Sequence, residues 1–335
     1  MRNKVDIIGP YPPPFGGVSI HISRMLPLMR DAGLTPVVYN QYDYEDASQN
    51  IFATKKSLMW WLTYIFKRKS PVVHIHQFSW IHFPYILLLS WTSKNKYILS
   101  IHNEKILSYS PSAQFVIYST LKISRLSCLI VVSKTLHAKL EKNRVKNIEW
   151  LPAYVPPSKS LQLVLPGQHS TKVVFNAAQL SNLKAIETYG ADHLLRLAKD
   201  HPEIGFYIFA GEPSSEDFFN KYLSDFEVGN CTVFYGKPLV EYLASANYFL
   251  RLNREDAYGI SIDEALDLGV PALASDVCSR AEGCIVYKKG DYSDLLKTFN
   301  QMLIQNNDDQ LKSRKPSKFH NHLISIYKKL LNSTP

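Results

Sequence analysis

The chain is poor in several features that would settle its class at once. Its 335 residues include only four cysteines, Cys128, Cys231, Cys278 and Cys284. None forms a C-x-x-C pair or has a histidine partner at ligand spacing, so neither a disulfide framework nor a metal site is expected. The opening MRNKVDIIGPYPPP lacks a long apolar core and a small-residue cleavage site, so no secretory signal is expected. No stretch approaches the ~18–20 uninterrupted apolar residues that span a bilayer. The nearest, FPYILLLSW at 83–91, reads as a buried helix. These absences suggest a cytoplasmic chain, soluble or peripheral to a membrane. No G-x-G-x-x-G supports a nicotinamide cofactor, and no zinc-finger, basic-helix or RNP-type pattern supports nucleic acid. Acidic residues are in deficit: 38 Lys+Arg face 29 Asp+Glu, a formal charge of +9. Such a surplus favours an anionic partner, a nucleotide diphosphate or a phospholipid surface ahead of nucleic acid.

What is present is a regular alternation. The length favours two domains, and 46% hydrophobic residues can fill two cores. VDIIG (5–9), PVVYN (36–40), VVHIH (72–76), YILSIH (97–102) and LIVVS (129–133) read as buried parallel strands. Amphipathic stretches such as 18–33 separate them. IEWLPAYVPPSKS (148–160) then breaks the rhythm with three prolines and reads as a hinge. The alternation restarts at KVVFNAA (172–178), GFYIFAG (205–211), CTVFYG (231–236), NYFLRL (247–252) and VPALAS (270–275). The fold class is α/β, with doubly wound Rossmann-like domains over 1–155 and 156–315. The segment 316–335 is expected to form a helix that packs back on the body.

The densest chemistry lies in REDAYGISIDEALDLGVPALASD (254–276). A helix is expected to begin just after Gly259 and to stop at Gly269 and Pro271. A helix start beyond a strand end offers free N–H groups and the positive end of the helix dipole to a diphosphate. Glu264, one turn in, could accept hydrogen bonds from ribose hydroxyls. It could equally close a capping box with Ser261, bonding back to the Ser261 N–H. Asp256 stands in the loop before the helix.

The segment D-A-Y-G-I-S-I-D-E-A-L-D-L-G-V-P-A-L-A-S resembles a region of the family-four retaining glycosyltransferases of the GT-B fold. The usual form there is E-G-F-G-x-x-x-x-E-A-x-x-x-G-x-P-V-x-A-S. The resemblance implies two Rossmann-like domains facing across a cleft and a UDP- or GDP-sugar donor. It implies no metal and no other cofactor. Asp256 would bind donor-sugar hydroxyls and Glu264 the ribose, with Tyr258, Gly259 and Ile260 lining the donor site. Asp256 replaces the usual Glu, and Ala257 the usual Gly. GPYPPPFGGVSIHISRM (9–25) resembles the opening strand–loop–helix, where Gly16 and Gly17 would admit the donor phosphates or the acceptor. His102, in SIHNEK, would contact the donor sugar as a catalytic residue beside Asp256. His76, at the end of VVHIH, is a weaker candidate. In FNAAQLSNLKA (175–185), Lys184 falls where the family has a phosphate-gripping Lys, while Gln179 stands where an Arg is usual. Either Arg254 or Arg251 would then supply the missing charge, or the enzyme would be slow or need a distinctive donor. Rival readings are a nucleotide-sugar 2-epimerase of the same fold and a non-catalytic nucleotide-sugar binder.

KKSLMWWLTYIFKRK (55–69) carries five basic residues, no acidic ones and an aromatic middle. It could lie on an anionic membrane, consistent with a lipid-linked acceptor. Alternatively Trp60, Trp61 and Phe66 pack into the first domain.

Overall fold

The structure is a computed structural model that describes residues 3–13, 16–54, 58–64, 70–76, 83–92, 94–157, 162–256, 258–305 and 318–333. The chain divides into two compact units. One is Met1–Val155 with Lys318–Pro335, and the other is Pro156–Ser317.

The first unit holds strands β1 (Lys4–Gly9), β2 (Thr35–Asn40), β3 (Ile51–Ala53), β4 (Val72–His76), β5 (Lys96–Ile101), β6 (Cys128–Val131) and β7 (Ile148–Trp150). They form one parallel sheet in the order β3-β2-β1-β4-β5-β6-β7. The strands are near-continuous apolar runs because helices cover both faces. On one face α1 (Gly17–Asp31) sets Ile22, Met25, Leu26 and Met29 against Val5, Ile7 and Ile130. The terminal helix (Phe319–Asn332) adds Leu323, Ile326 and Tyr327 to the same layer. On the other face lie α2 (Leu58–Tyr64), α3 (Phe83–Thr92), α4 (Pro111–Ile123) and α5 (Lys134–Lys142). Trp61, Leu89, Ile117 and Leu136 there meet Ile8, Ile75 and Leu99. Each fully buried side chain of this size contributes roughly 1.5–3 kcal/mol.

The second unit holds β8 (Lys172–Ala177), β9 (Gly205–Ala210), β10 (Cys231–Tyr235), β11 (Tyr248–Arg251), β12 (Ala272–Ser275) and β13 (Ile285–Tyr287). Its helices are α6 (Leu183–Tyr189), α7 (Ala191–Asp200), α8 (Glu216–Phe226), α9 (Ile260–Asp267) and α10 (Tyr292–Ile304), while α11 (Phe319–Asn332) belongs to the first unit. The sheet is parallel in the order β10-β9-β8-β11-β12-β13. Both sheets therefore wind outward in two directions from a central seam, β1/β4 in one unit and β8/β11 in the other. Such a switch point opens a crevice at the strand C-termini, where ligands bind in open α/β sheets. Among the described residues no helix is long and apolar enough to cross a membrane.

The sheet edges carry strands that the sequence pattern does not predict. The strands β3, β7 and β13 have three residues each, too few for periodicity to reveal. The expected hinge begins with β7, and Leu151, Ala153, Tyr154 and Val155 after it are buried. His21 Nδ1 bonds the Ala153 carbonyl at 2.7 Å, and Arg24 donates to the Val155 carbonyl at 3.1 Å. The prolines end the strand, but α1 holds this stretch onto the first unit.

Candidate functional site

In the second unit the switch point is dominated by ions. Arg251, the last residue of β11, grips Asp256 through Nε–Oδ2 at 2.6 Å and Nη2–Oδ1 at 3.0 Å. Arg280, beyond the end of β12, donates Nη1 to the same Asp256 Oδ2 at 2.7 Å. Arg280 also binds the Tyr258 carbonyl and both the carbonyl and hydroxyl oxygens of Ser275. The three side chains are nearly dry, at 15% exposure for Arg251, 9% for Asp256 and 3% for Arg280. Burial alone would raise the Asp256 carboxyl. The Arg251 and then the Arg280 guanidinium overcome that and hold it well below the usual carboxylate range. Both carboxylate oxygens of Asp256 are thus engaged by arginine, a job the sequence reading had not given it.

Gly259 sits against this cluster. Its φ of +86° is left-handed, and it is the N-cap of α9. A Cβ there would lie 2.8 Å from Arg251 Nε and 3.0 Å from Arg280 Nη1. The position needs glycine both for its dihedral and for the close approach of the two guanidinium groups. Because Gly259 caps the helix, Ser261 lies inside it and its hydroxyl accepts from Arg251 Nη1 at 3.1 Å. Ser261 is therefore not the N-cap, and a capping box starting there does not form. Glu264 is buried on α9, and Ile260 is half-buried at the first helical position. Tyr258 is buried, with its carbonyl held by Arg280. Ala257 lies outside the described residues.

The other predicted donor residues separate. Gln179, half-buried, follows β8, the neighbour of β11. Lys184 is exposed in the first turn of α6, whose N-cap Asn182 accepts from the Ala185 N–H at 2.9 Å. Arg254 does not join this group. It forks onto Asp192 of α7 at 2.7 and 3.1 Å and donates to the Glu187 carbonyl. Through these bonds the Arg254 guanidinium ties the loop to α7.

In the first unit the same topological position is uncharged. His74 and His76 of β4, His102 after β5 and His21 of α1 converge. His76 Nδ1 and His102 Nε2 are 2.9 Å apart, and the two rings stack at 5.2 Å. The His21 ring lies 5.5 Å from His76 and 5.6 Å from His102. His74 bonds the Tyr327 hydroxyl at 2.5 Å and the Ser100 hydroxyl at 2.7 Å. Burial pushes His21 down to about 4 and His102 to about 3, the neighbouring His21 adding to the fall at His102. His74 and His76 also lie well below the ordinary value through burial and mutual repulsion. At neutral pH all four rings are neutral. His102 Nδ1 is buried with no hydrogen-bond partner among the described residues. Gly16 and Gly17 have no crowding that demands glycine: a Cβ on Gly17 would meet nothing within 4 Å among the described residues, and on Gly16 only Ser19 Oγ at 3.9 Å. Gly16 is extended, a conformation open to any residue.

Of 55–69, the structure describes 58–64. Trp61 and Tyr64 are buried, and Trp60 stacks on Tyr64 at 4.8 Å and lies 5.2 Å from Tyr39. These rings pack within the first unit. Lys55, Lys56, Phe66, Lys67, Arg68 and Lys69 lie outside the described residues.

Arg280, His21 and His74 escaped the sequence reading. The available signal was an arginine just past a strand end in the same sheet as Asp256, and two histidines on the elements flanking β1.

No family model matches the chain, and no curated protein matches it. Solved structures do. Sucrose-phosphate synthase from Thermosynechococcus elongatus superposes with a TM-score of 0.74 at 13% identity, over 99% of this chain and 100% of that one. The Anabaena protein HepE in complex with UDP and glucose gives 0.68 at 11%, over 98% of each chain. WaaG, a glycosyltransferase involved in lipopolysaccharide biosynthesis, gives 0.68 at 13%, over 98% of this chain and 99% of that one. The chain therefore has the GT-B fold, two Rossmann-like parallel-sheet units of seven and six strands, in common with these proteins.

Proposed function

We propose that the chain is a retaining glycosyltransferase that moves a sugar from a UDP- or GDP-sugar to a hydroxyl acceptor, in cell-surface polysaccharide or glycolipid synthesis. The observation that carries this reading is the second switch point, where the α9 N-terminus meets two buried guanidinium groups at a glycine cap. Helix N-termini and buried arginines stabilise phosphate charge. HepE has been solved with UDP-glucose, which supports a UDP-sugar as the first donor to test.

In this reading the donor diphosphate faces the N-terminal turn of α9. Lys184 adds a mobile cation and Gln179 a neutral donor. Glu264 accepts from the ribose hydroxyls. Cleavage of the sugar–phosphate bond leaves both bonding electrons on the phosphate oxygen. The acceptor hydroxyl attacks the same face of the sugar, and that oxygen takes its proton. The protein's contribution is electrostatic and positional, and it needs no metal. His102, being neutral, acts through its unpartnered Nδ1 as a hydrogen-bonding group and not as a cation.

A membrane surface as partner is supported by a face other than 58–64. Leu88 and Trp91 of α3 and Phe115, Val116 and Ile123 of α4 are exposed, Phe115 at 71%. Arg125 sits over the Trp91 ring at 4.3 Å, and Lys122, Arg125 and Lys146 line one groove beside it. Exposed rings flanked by cations suit an anionic bilayer. Co-sedimentation with phosphatidylglycerol vesicles should fall when Trp91 and Phe115 become Ser. If only neutralising Lys55, Lys56, Lys67, Arg68 and Lys69 lowers it, the basic stretch is the contact instead.

A second reading, a nucleotide-sugar binder without turnover, is favoured by Gln179 and by the engaged Asp256. Incubation with UDP- and GDP-sugars and a cell-envelope lipid extract separates the two. Nucleotide release with a new glycolipid supports transfer, and binding without release supports the second reading.

A further inference from the structure

The proposed donor site has a charge problem that its own residues answer. Where an Arg is usual, the chain has Gln179, which cannot neutralise phosphate. Arg254, one candidate replacement, is spent on Asp192. Two further guanidinium groups lie at the same seam. Arg251 ends β11, and the register pairs its neighbour Leu250 with Phe175 of β8, four residues before Gln179. Arg280 reaches the same carboxylate from beyond β12. Among these three side chains, two cations share one anion. Both groups lie against Gly259, the residue whose cap opens α9.

We infer that Arg251 and Arg280, linked by Asp256, supply the positive field at the donor diphosphate that Gln179 does not. Asp256 is then the link that aims the guanidinium groups and not the ligand of the donor sugar. This inference rests on the donor-site reading above. The geometry divides the labour. Arg251 has N–H groups left after binding Asp256 and Ser261, and its side chain is 15% exposed, so it can face the phosphate. Arg280 is 3% exposed and donates to Ser275, Tyr258 and Asp256, so it is a positioning residue that acts through its charge and through Asp256. The carboxyls of Asp263 and Glu264 also lie on α9 and temper the field. Because negative charge grows on the diphosphate as the sugar bond breaks, the field assists departure more than ground-state binding. Its low-dielectric surroundings make the effect larger than the same charges would have in water.

The test compares two probes that differ only in phosphate. Wild type, Arg280→Gln, Arg280→Lys and the double variant Arg280→Gln/Gln179→Arg are titrated calorimetrically with UDP and with uridine, their folding checked by circular dichroism. The expected result is that Arg280→Gln weakens UDP about tenfold and leaves uridine unchanged. Arg280→Lys keeps part of the UDP affinity, and the added Gln179→Arg restores most of it. With a turning-over donor, kcat falls by a larger factor than KM rises. An equal loss for UDP and uridine, or no recovery with Gln179→Arg, would overturn the inference, since a structural role for Arg280 predicts both. Unchanged UDP binding in a folded Arg280→Gln protein would overturn it too. If wild type binds neither UDP nor GDP, the failure belongs to the donor-site reading itself.

Discussion

The two switch points have one topology and opposite electrostatics. In the first unit, the ends of β4 and β5 present neutral imidazoles, stacked and hydrogen-bonded to one another. In the second, the ends of β11 and β12 present two guanidinium groups around one carboxylate. The difference follows from what burial does to each group. A histidine can shed its proton when desolvated, so four of them pack together without charge. An arginine cannot, so its burial requires an anion, and Asp256 provides it. Under the proposed function, the neutral end would meet uncharged, hydroxyl-rich ligand parts and the charged end the donor diphosphate.

Removing the shared carboxylate should have the largest effect. Asp256→Ala leaves two buried cations without a counter-ion and should cost the second unit about 3–5 kcal/mol. Calorimetry would register this as an earlier transition. The five tryptophans, at 60, 61, 80, 91 and 150, all lie in the first unit, so its fluorescence transition should stay in place. A fluorescence midpoint that moves equally would mean that the ends are not independent.

Acid should act in the opposite sense. Folded His21 and His102 titrate at about 4 and about 3, against an unfolded value of 6.5. Between these values the unfolded chain binds more protons. Stability is therefore full above pH 6.5 and is lost as pH falls towards 4, at about 1.4 kcal/mol per pH unit for each ring. Asp256, held well below the usual range, keeps its contribution through that window. Tryptophan fluorescence should report unit one softening at pH 5.5, and His21→Gln should flatten the slope.

Gly259→Ala strains a left-handed residue and pushes a methyl group into Arg251, which should cost about 1–3 kcal/mol of stability. The smallest effect is expected for Glu264→Ala. UDP binding should weaken roughly fivefold, about 1 kcal/mol for lost ribose hydrogen bonds. A fall in melting temperature without weaker binding would remove Glu264 from the donor site.

Much of this was legible in the sequence. The long strands, the helix start at Gly259 and the stop at Gly269, whose φ is +77°, are local signals. The capping-box alternative failed for a local reason as well: a left-handed Gly259 starts the helix two residues before Ser261. What stayed hidden depends on distance. Arg280 meets Asp256 across 24 residues, and Tyr327 meets His74 across 253. Arg254 and Arg251 are equivalent on paper, yet the turn between them sends one to α7 and the other to α9. The partners of the aromatic middle of 58–64 were likewise distant in sequence: Tyr39 meets Trp60, and Tyr85 meets Trp61.

The most direct measurement is thermal unfolding followed at once by calorimetry and tryptophan fluorescence, with increasing UDP or GDP. A ligand bound to the native second unit raises its transition by RT ln(1 + [L]/Kd). The account predicts a concentration-dependent rise in the calorimetric transition of the second unit for at least one of the two nucleotides, absent with the matching nucleoside. No rise with either diphosphate, or an equal rise with the nucleoside, would contradict it.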